Sequence, residues 1–333
     1  MINKNHLPTA TYEDLRAWRN EMIQEKKSDH ANLNQFHDEL MKEIISLSQN
    51  IVESEWGSPP APFTFILMGS GGRQEQAIWS DQDHGIIFDG NKEHADYFLK
   101  LGEEIVKGME ICGYELCEGK VMANNPRWCK SSDVWESQLL GWLEDRGWES
   151  LRNVSIFYDS RALVGERSLL TKTKNKGFEK MKENPDILSR LADNVQYIKK
   201  GIGLFGQLLP ETKGENKGKL DVKEVVLFPY INAIRLLSFL EKIQEAPTLE
   251  RFDHLSDNYT AIKTYKRPFS DALDLRLKVN QDVKNYESVH FIPLNSLSKK
   301  EYEALKSWIK DGSSLMREAT NIIKRNSKES EKS

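Results

Sequence analysis

Residues 67–88, LMGSGGRQEQAIWSDQDHGIIF, hold two groups of side chains suited to one chemistry. The first is the glycine-rich run Gly69-Ser70-Gly71-Gly72-Arg73. The second, ten intervening residues after Gly69-Ser70, is the carboxylate pair Asp81 and Asp83. Carboxylates at i and i+2 of an extended chain lie on one face, because side chains alternate with period two. Two such charges repel by about 4 kcal/mol at 4 Å and an effective dielectric near 20, and a cation between them removes the conflict. A carboxylate set completed by water and phosphate suits Mg²⁺ or Mn²⁺. Two ions about 4 Å apart can activate an attacking oxygen and stabilise leaving pyrophosphate. The glycines let backbone N–H groups approach a phosphate closely. The Ser70 hydroxyl and Arg73 guanidinium would add hydrogen bonds to its oxygens. The pattern reads as a site for a nucleoside triphosphate with a divalent ion, and it lacks a P-loop lysine. A third carboxylate would come from a neighbouring strand, and Asp159, closing VSIFY, is the candidate.

The elements that must position these residues follow from periodicity and breakers. Phe63 to Met68 (FTFILM) reads as a buried strand and Asp83 to Phe88 as its partner. Helical spacing fills 11–55, with a capped start at Thr11 and Phe36, Leu40, Ile44, Leu47 and Ile51 on one face. GSPPAP at 57–62 breaks that pattern. Helices are predicted at 94–108 and 133–148, a strand at 112–118, and a further strand over Val154–Tyr158. From 185 onward only helices are expected. Leu191, Val195, Ile198, Ile202, Phe205 and Leu209 step as a bundle seam, a polar Gly/Lys loop spans 210–219, and Pro229 opens an apolar helix. Further helices are placed near 268–286 and 298–324. The tail NSKESEKS has the composition of disorder. This gives a helical segment over 1–56, an α/β domain over 57–170, a helical domain over 185–325 and a disordered tail over 326–333.

Composition limits the alternatives. The 333 residues carry a net charge of −4, which argues against a nucleic-acid surface. Cys112, Cys117 and Cys129 are odd in number and form no CxxC pair, so they read as reduced structural thiols. The N-terminus lacks the pattern of a signal peptide, and no apolar run approaches a membrane span. A cytoplasmic protein is expected.

At these residues the sequence resembles the nucleotidyltransferase superfamily that includes DNA polymerase β and the aminoglycoside nucleotidyltransferases, marked by Gly-Ser followed by Asp-x-Asp. It is more closely similar to the nucleotidyltransferases related to the N-terminal region of protein-PII uridylyltransferase. The stretches CEGKVMANNPRW, IFYDSRALVGE, KLDVKEVVLFPYINAIRLL, LRLKVNQ and FIPLNSLSKKEYEALK carry that closer likeness, which covers about residues 55–325. The CBS and cyclic-nucleotide-binding modules of many such relatives are not read here, nor is an HD-type hydrolase domain.

The resemblance implies an α+β fold: a polymerase β-like domain with a mixed, mostly antiparallel sheet, and a helical substrate-binding C-terminal domain. It implies Asp81, Asp83 and Asp159 as catalytic, metal-binding carboxylates, and Gly69, Ser70 and Arg73 as the nucleotide-binding turn. The implied reaction moves a uridylyl- or adenylyl-type group from a nucleoside triphosphate to an acceptor hydroxyl. The acceptor is a regulatory protein or a small molecule, and a nucleotide sensor without catalysis is the remaining alternative. Lys223 and Arg235 are read as surface or capping charges, or as cleft residues steadying phosphate. Trp128, Trp135, Trp142 and Trp148 are expected to pack between lobes. Asn124–Trp128 is read as a turn or a cleft loop, and His84 as structural.

Overall fold

The computed structural model describes residues 11–27 and 29–330. The ends of the expected N-terminal segment and tail, 1–10 and 331–333, lie outside these. Two helices open the chain: α1 (Tyr12–Lys26), started by a Thr11–Asp14 capping box, and α2 (His30–Trp56), capped by Asp29. Strand β1 (Phe63–Leu67) runs into a one-turn helix, α3 (Gly69–Gly72), and β2 (His84–Phe88) returns antiparallel. Helix α4 (Ala95–Ile111) and β3 (Cys129–Ser131) follow, then α5 (Ser132–Asp145), α6 (Trp148–Tyr158), β4 (Arg161–Gly165) and α7 (Arg167–Glu183). The sheet order is β3-β2-β1-β4, with β3 parallel to β2 and the other pairs antiparallel. The expected mixed, mostly antiparallel sheet is therefore present.

Alternation explains how β1 holds two layers. Phe63, Phe65 and Leu67 face one core with α1, α2 and α4, whereas Ile66 faces the other with α5, α6 and α7. A central strand covered on both faces is apolar throughout. The N-terminal helices thus share a core with the sheet, and the break at 57–62 is a loop within one packed unit.

The second half contains α8 (Asp186–Asn194), β5 (Lys219–Asp221), a π-helical turn over Lys223–Leu227, α9 (Phe228–Glu241) and α10 (Thr248–His254). It ends with α11 (Thr260–Lys263), α12 (Lys266–Val279), β6 (Phe291–Pro293) and α13 (Lys299–Ser330). The antiparallel pair β5–β6 corrects the expectation of helices alone.

Four further expectations change. VSIFY is the last turn and a half of α6, not a strand. Leu151, Val154 and Phe157 face the core at helical spacing, and a short apolar run cannot be assigned by periodicity alone. The segment 112–118 forms no strand; Glu115 makes a single bridge to Asp81. The seam over 198–209 is not helical. Gly201, Gly203 and Gly206 disfavour a helix there, an Ile202–Leu208 bridge closes a tight loop, and Leu204 and Phe205 are exposed. Residues 326–330 continue α13 rather than forming a tail.

The tryptophans divide. Trp128, Trp135 and Trp142 cluster with centroids 5.7–6.3 Å apart, while Trp148 is exposed. Among the described residues no helix is long and apolar enough to cross a membrane.

Buried His37 ties α2 to the loop before Asp81. Its ring nitrogens lie 2.8 Å from the Tyr114 hydroxyl and 2.9 Å from the Ala77 carbonyl oxygen. Burial, aided by the Arg19 charge, pushes its pKa down to about 3. Its folded value lies below the unfolded value of about 6.5. The unfolded chain therefore binds the extra proton, and stability falls as pH drops below about 6.5 toward 3. His37→Gln should lower the slope of unfolding free energy against pH, measured by urea titrations at pH 7.5, 5.5 and 4.5. The expected reduction is about 1.4 kcal/mol per pH unit at most.

Candidate active site

The Gly-Ser turn and the carboxylate pair meet at the end of β1. The Met68 N–H donates to the Asp83 carbonyl at 2.8 Å, so Asp83 is extended beside the turn. Gln82 and His84 alternate into the core. The Gln82 amide donates to the carbonyls of Val106 and Tyr114, and His84 Nδ1 accepts from the Ala123 N–H. Asp81 and Asp83 point the other way and stay partly exposed. The reading of His84 as structural holds.

Gly69 has φ +53°, and a Cβ there would sit 2.0 Å from Asp83 Oδ2. Both features require glycine. Gly72 is equally confined, since its Cβ would meet the Asp159 carbonyl oxygen at 1.8 Å. Arg161 holds the turn from behind. Its guanidinium donates to the Gly71 carbonyl at 2.9 and 3.1 Å and forks onto Asp38 of α2 at 2.5 and 2.8 Å. Asn34 of α2 exchanges hydrogen bonds with the Gln76 backbone. The N-terminal helices thus position the turn.

Gly69→Ala should push the Asp83 carboxylate aside and strain the turn, costing about 1–3 kcal/mol in backbone strain. Nucleotide affinity in the presence of Mg²⁺, measured by titration calorimetry, should fall at least tenfold. Wild-type affinity would remove the steric argument.

Asp81, Asp83 and Cys117 bring one ligand atom each to within 4.8 Å of one another. Burial raises the Asp81 pKa, and the Asp83 charge raises it further. Burial also raises that of Asp83, opposed by a hydrogen bond with Cys117 and by the charges of Arg73, Lys223 and Arg152. The Cys117 thiol is pushed up to about 12 by burial and then by the Asp83 charge. An anionic pair short of solvent and short of countercharge fits a divalent cation. Lys223 leads the π-helical turn and stands over the rings of Phe228 and Tyr286 at 5.6 and 5.9 Å. Neither Lys223 nor Arg152 forms an ion pair within 4 Å among the described residues.

Two expected residues lie elsewhere. Asp159 caps the C-terminus of α6 and is 1% exposed. Its carboxylate accepts from Arg235 of α9 at 2.5 and 2.9 Å, from Arg251 of α10 at 2.8 Å and from Arg73 at 2.8 Å. Burial alone would raise its pKa, but those three guanidinium groups hold it well below the carboxylate range. Both oxygens are taken, and Asp159 is not in the group formed by Asp81, Asp83 and Cys117. The carboxylate expected beside Asp81 and Asp83 is instead held by three arginines. Arg73 also donates to Glu75 at 2.7 Å, and Glu75 accepts from Thr248 of α10 at 2.5 Å. The Arg73 guanidinium is thus committed to an ion network between the halves rather than to a phosphate. Arg235 belongs to the same network, not to a surface or cleft.

Beside it, buried Lys174 donates to the carbonyls of Tyr158, Ser160 and Gln244. Burial and then the charge of Arg251 push its pKa down to about 7. Asn124–Trp128 is a structural turn: the Asn125 side chain donates to the Lys120 carbonyl and accepts from the Arg127 N–H. Cys117, Tyr286 and Arg152 had no signal in the sequence that tied them to the pair. Lys223 had one, as a charge heading an apolar helical run.

Residues 15–149 match the family described as "Putative nucleotidyltransferase DUF294". Residues 185–322 match its companion, "Putative nucleotidyltransferase substrate binding domain". No curated protein matches the chain. The fold and these matches place it in the class of nucleotidyltransferases. Within that class it belongs to the DUF294 family and carries both of the family's domains. The family implies a nucleotide substrate, and nucleotidyltransferases typically use divalent metals.

Proposed function

We propose that the protein transfers a nucleotidyl group from a nucleoside triphosphate to an acceptor hydroxyl, releasing pyrophosphate. One observation carries this reading: the Gly69 backbone abuts the Asp83 carboxylate so closely that no side chain fits between them. Turn and carboxylates thus form one site. Asp81 and Asp83 would hold Mg²⁺ or Mn²⁺, which when bound polarises the α-phosphate and neutralises the leaving pyrophosphate. Gly69 and Ser70 would cradle phosphate oxygens through backbone N–H groups and the hydroxyl. The phosphate-binding charge assigned from sequence to Arg73 passes to Lys223 and Arg152, cations that act on the pair and form no ion pair within 4 Å among the described residues. Asp159 is left out of the metal set and given to the network joining the halves.

The resemblance to the PII uridylyltransferases favours a uridylyl- or adenylyl-type transfer to a protein hydroxyl over a small-molecule acceptor. Catalysis is preferred over sensing because both carboxylates are present and partly exposed beside the Gly69 turn. The test is incubation with each α-³²P-labelled nucleoside triphosphate, Mg²⁺ and host lysate, beside an Asp81→Asn/Asp83→Asn control. A labelled band or small product absent from the control is expected. No label in any lane, despite Mg²⁺-dependent nucleotide binding, would leave the sensor as the better reading.

A further inference from the structure

The substrate-binding half brings a hydroxyl of its own to the carboxylate pair. Pairing of β5 with β6 sets Asp221 opposite Phe291. The residues just after β5 and just before β6 therefore emerge at the same end, which brings Lys223 and Tyr286 together. The segment before β6 is fastened to the Asp81 loop at two points. The Tyr286 N–H donates to Glu115 Oε1 at 3.0 Å, and Glu115 bridges to Asp81 through the backbone. The Trp79 indole N–H donates to the Val283 carbonyl at 2.7 Å. Between these anchors the Tyr286 ring is fixed by Lys223 at 5.9 Å and by an edge-on contact with His290 at 4.8 Å. Its phenol lies close enough to the Asp81 side chain for the two to act on each other's pKa. A hydroxyl held beside the carboxylates that would carry the metal ion occupies the place of an attacking acceptor.

Resting on the transferase reading above, we propose that Tyr286 is an acceptor of the nucleotidyl group, so that the protein modifies itself at this residue. Tyr286 Oη attacks the α-phosphorus of the nucleoside triphosphate. The bond from that phosphorus to the α–β bridging oxygen breaks, pyrophosphate leaves with the electron pair, and the phenol proton is released to solvent. The product is a tyrosyl phosphodiester carrying one NMP. Holding acceptor and catalytic groups on one chain makes the step unimolecular. The phosphodiester consumes the single phenol oxygen, so Tyr286 takes one NMP per chain.

The full chain, incubated with each nucleoside triphosphate and Mg²⁺ or Mn²⁺, is read by intact mass and by fragmentation. Pyrophosphate release in the presence of host lysate is followed in parallel. The expected result is a gain of one NMP, mapped to Tyr286, at a rate constant independent of protein concentration. The gain should be absent in Tyr286→Phe, which keeps the ring contacts, and in Asp81→Asn/Asp83→Asn. Transfer to another acceptor with no mass gain on the protein, or a gain that persists in Tyr286→Phe, would overturn the inference and leave the transferase reading standing. No transfer of any kind would overturn both.

Discussion

Asp159→Asn should cost the protein about 3–5 kcal/mol of stability. The substitution removes the one carboxylate shared by Arg73, Arg235 and Arg251, of which Arg251 is itself 1% exposed. Breaking a buried ion network from one side leaves the remaining charges without solvent or partner. Against a typical folding margin of about 5–15 kcal/mol, such a loss is large. Urea denaturation of the variant and the wild type, compared at equal slope, measures it. The pH dependence carries the same signature. The folded pKa of Asp159 is depressed, so its contribution is present above the unfolded carboxylate value and lost as pH falls below about 4. That acid-linked component should vanish in Asp159→Asn. A loss below about 1 kcal/mol, with weakened Mg²⁺ affinity instead, would return Asp159 to the metal set.

The Asp81→Asn/Asp83→Asn protein should show the opposite pattern. Its transfer rate should drop by about a thousandfold or more, since metal clamping contributes several kcal/mol of transition-state stabilisation and each 1.4 kcal/mol is a factor of ten. Its fold should persist with stability equal to or above that of the wild type. In the metal-free protein burial raises the pKa of both carboxylates and the Asp83 charge raises that of Asp81 further, so making them neutral relieves a desolvation and repulsion cost rather than breaking a bond. Pyrophosphate release and urea midpoints on the same preparation separate the two effects. A variant that unfolds would assign the pair a structural role.

The contrast between these carboxylates shows what could be read from the chain. Asp81, Asp83 and Gly69 were legible because the site is made by residues at most fourteen apart, with strand alternation setting their direction. Asp159 was visible as a residue but not in its role. That role depends on Arg235 and Arg251, brought across from 76 and 92 positions away by packing of the two halves. VSIFY misled because five apolar residues satisfy a strand and a buried helix turn equally. Gly201, Gly203 and Gly206 ended a helical seam that apolar spacing alone would continue. Tyr286 reaches Asp81 only through the β5–β6 pairing, and neither strand exceeds three residues. Tertiary contact, not local pattern, decided each of these.

The central claim is that Asp81, Asp83 and the Gly69 turn form one metal–nucleotide site. Calorimetric titration with α,β-methylene nucleoside triphosphate analogues, with and without Mg²⁺, tests it most directly. The account predicts saturable binding to the wild type that requires Mg²⁺ and is lost in Asp81→Asn/Asp83→Asn while that variant stays folded. Equal affinity with and without Mg²⁺, or binding retained by the folded double variant, would contradict it.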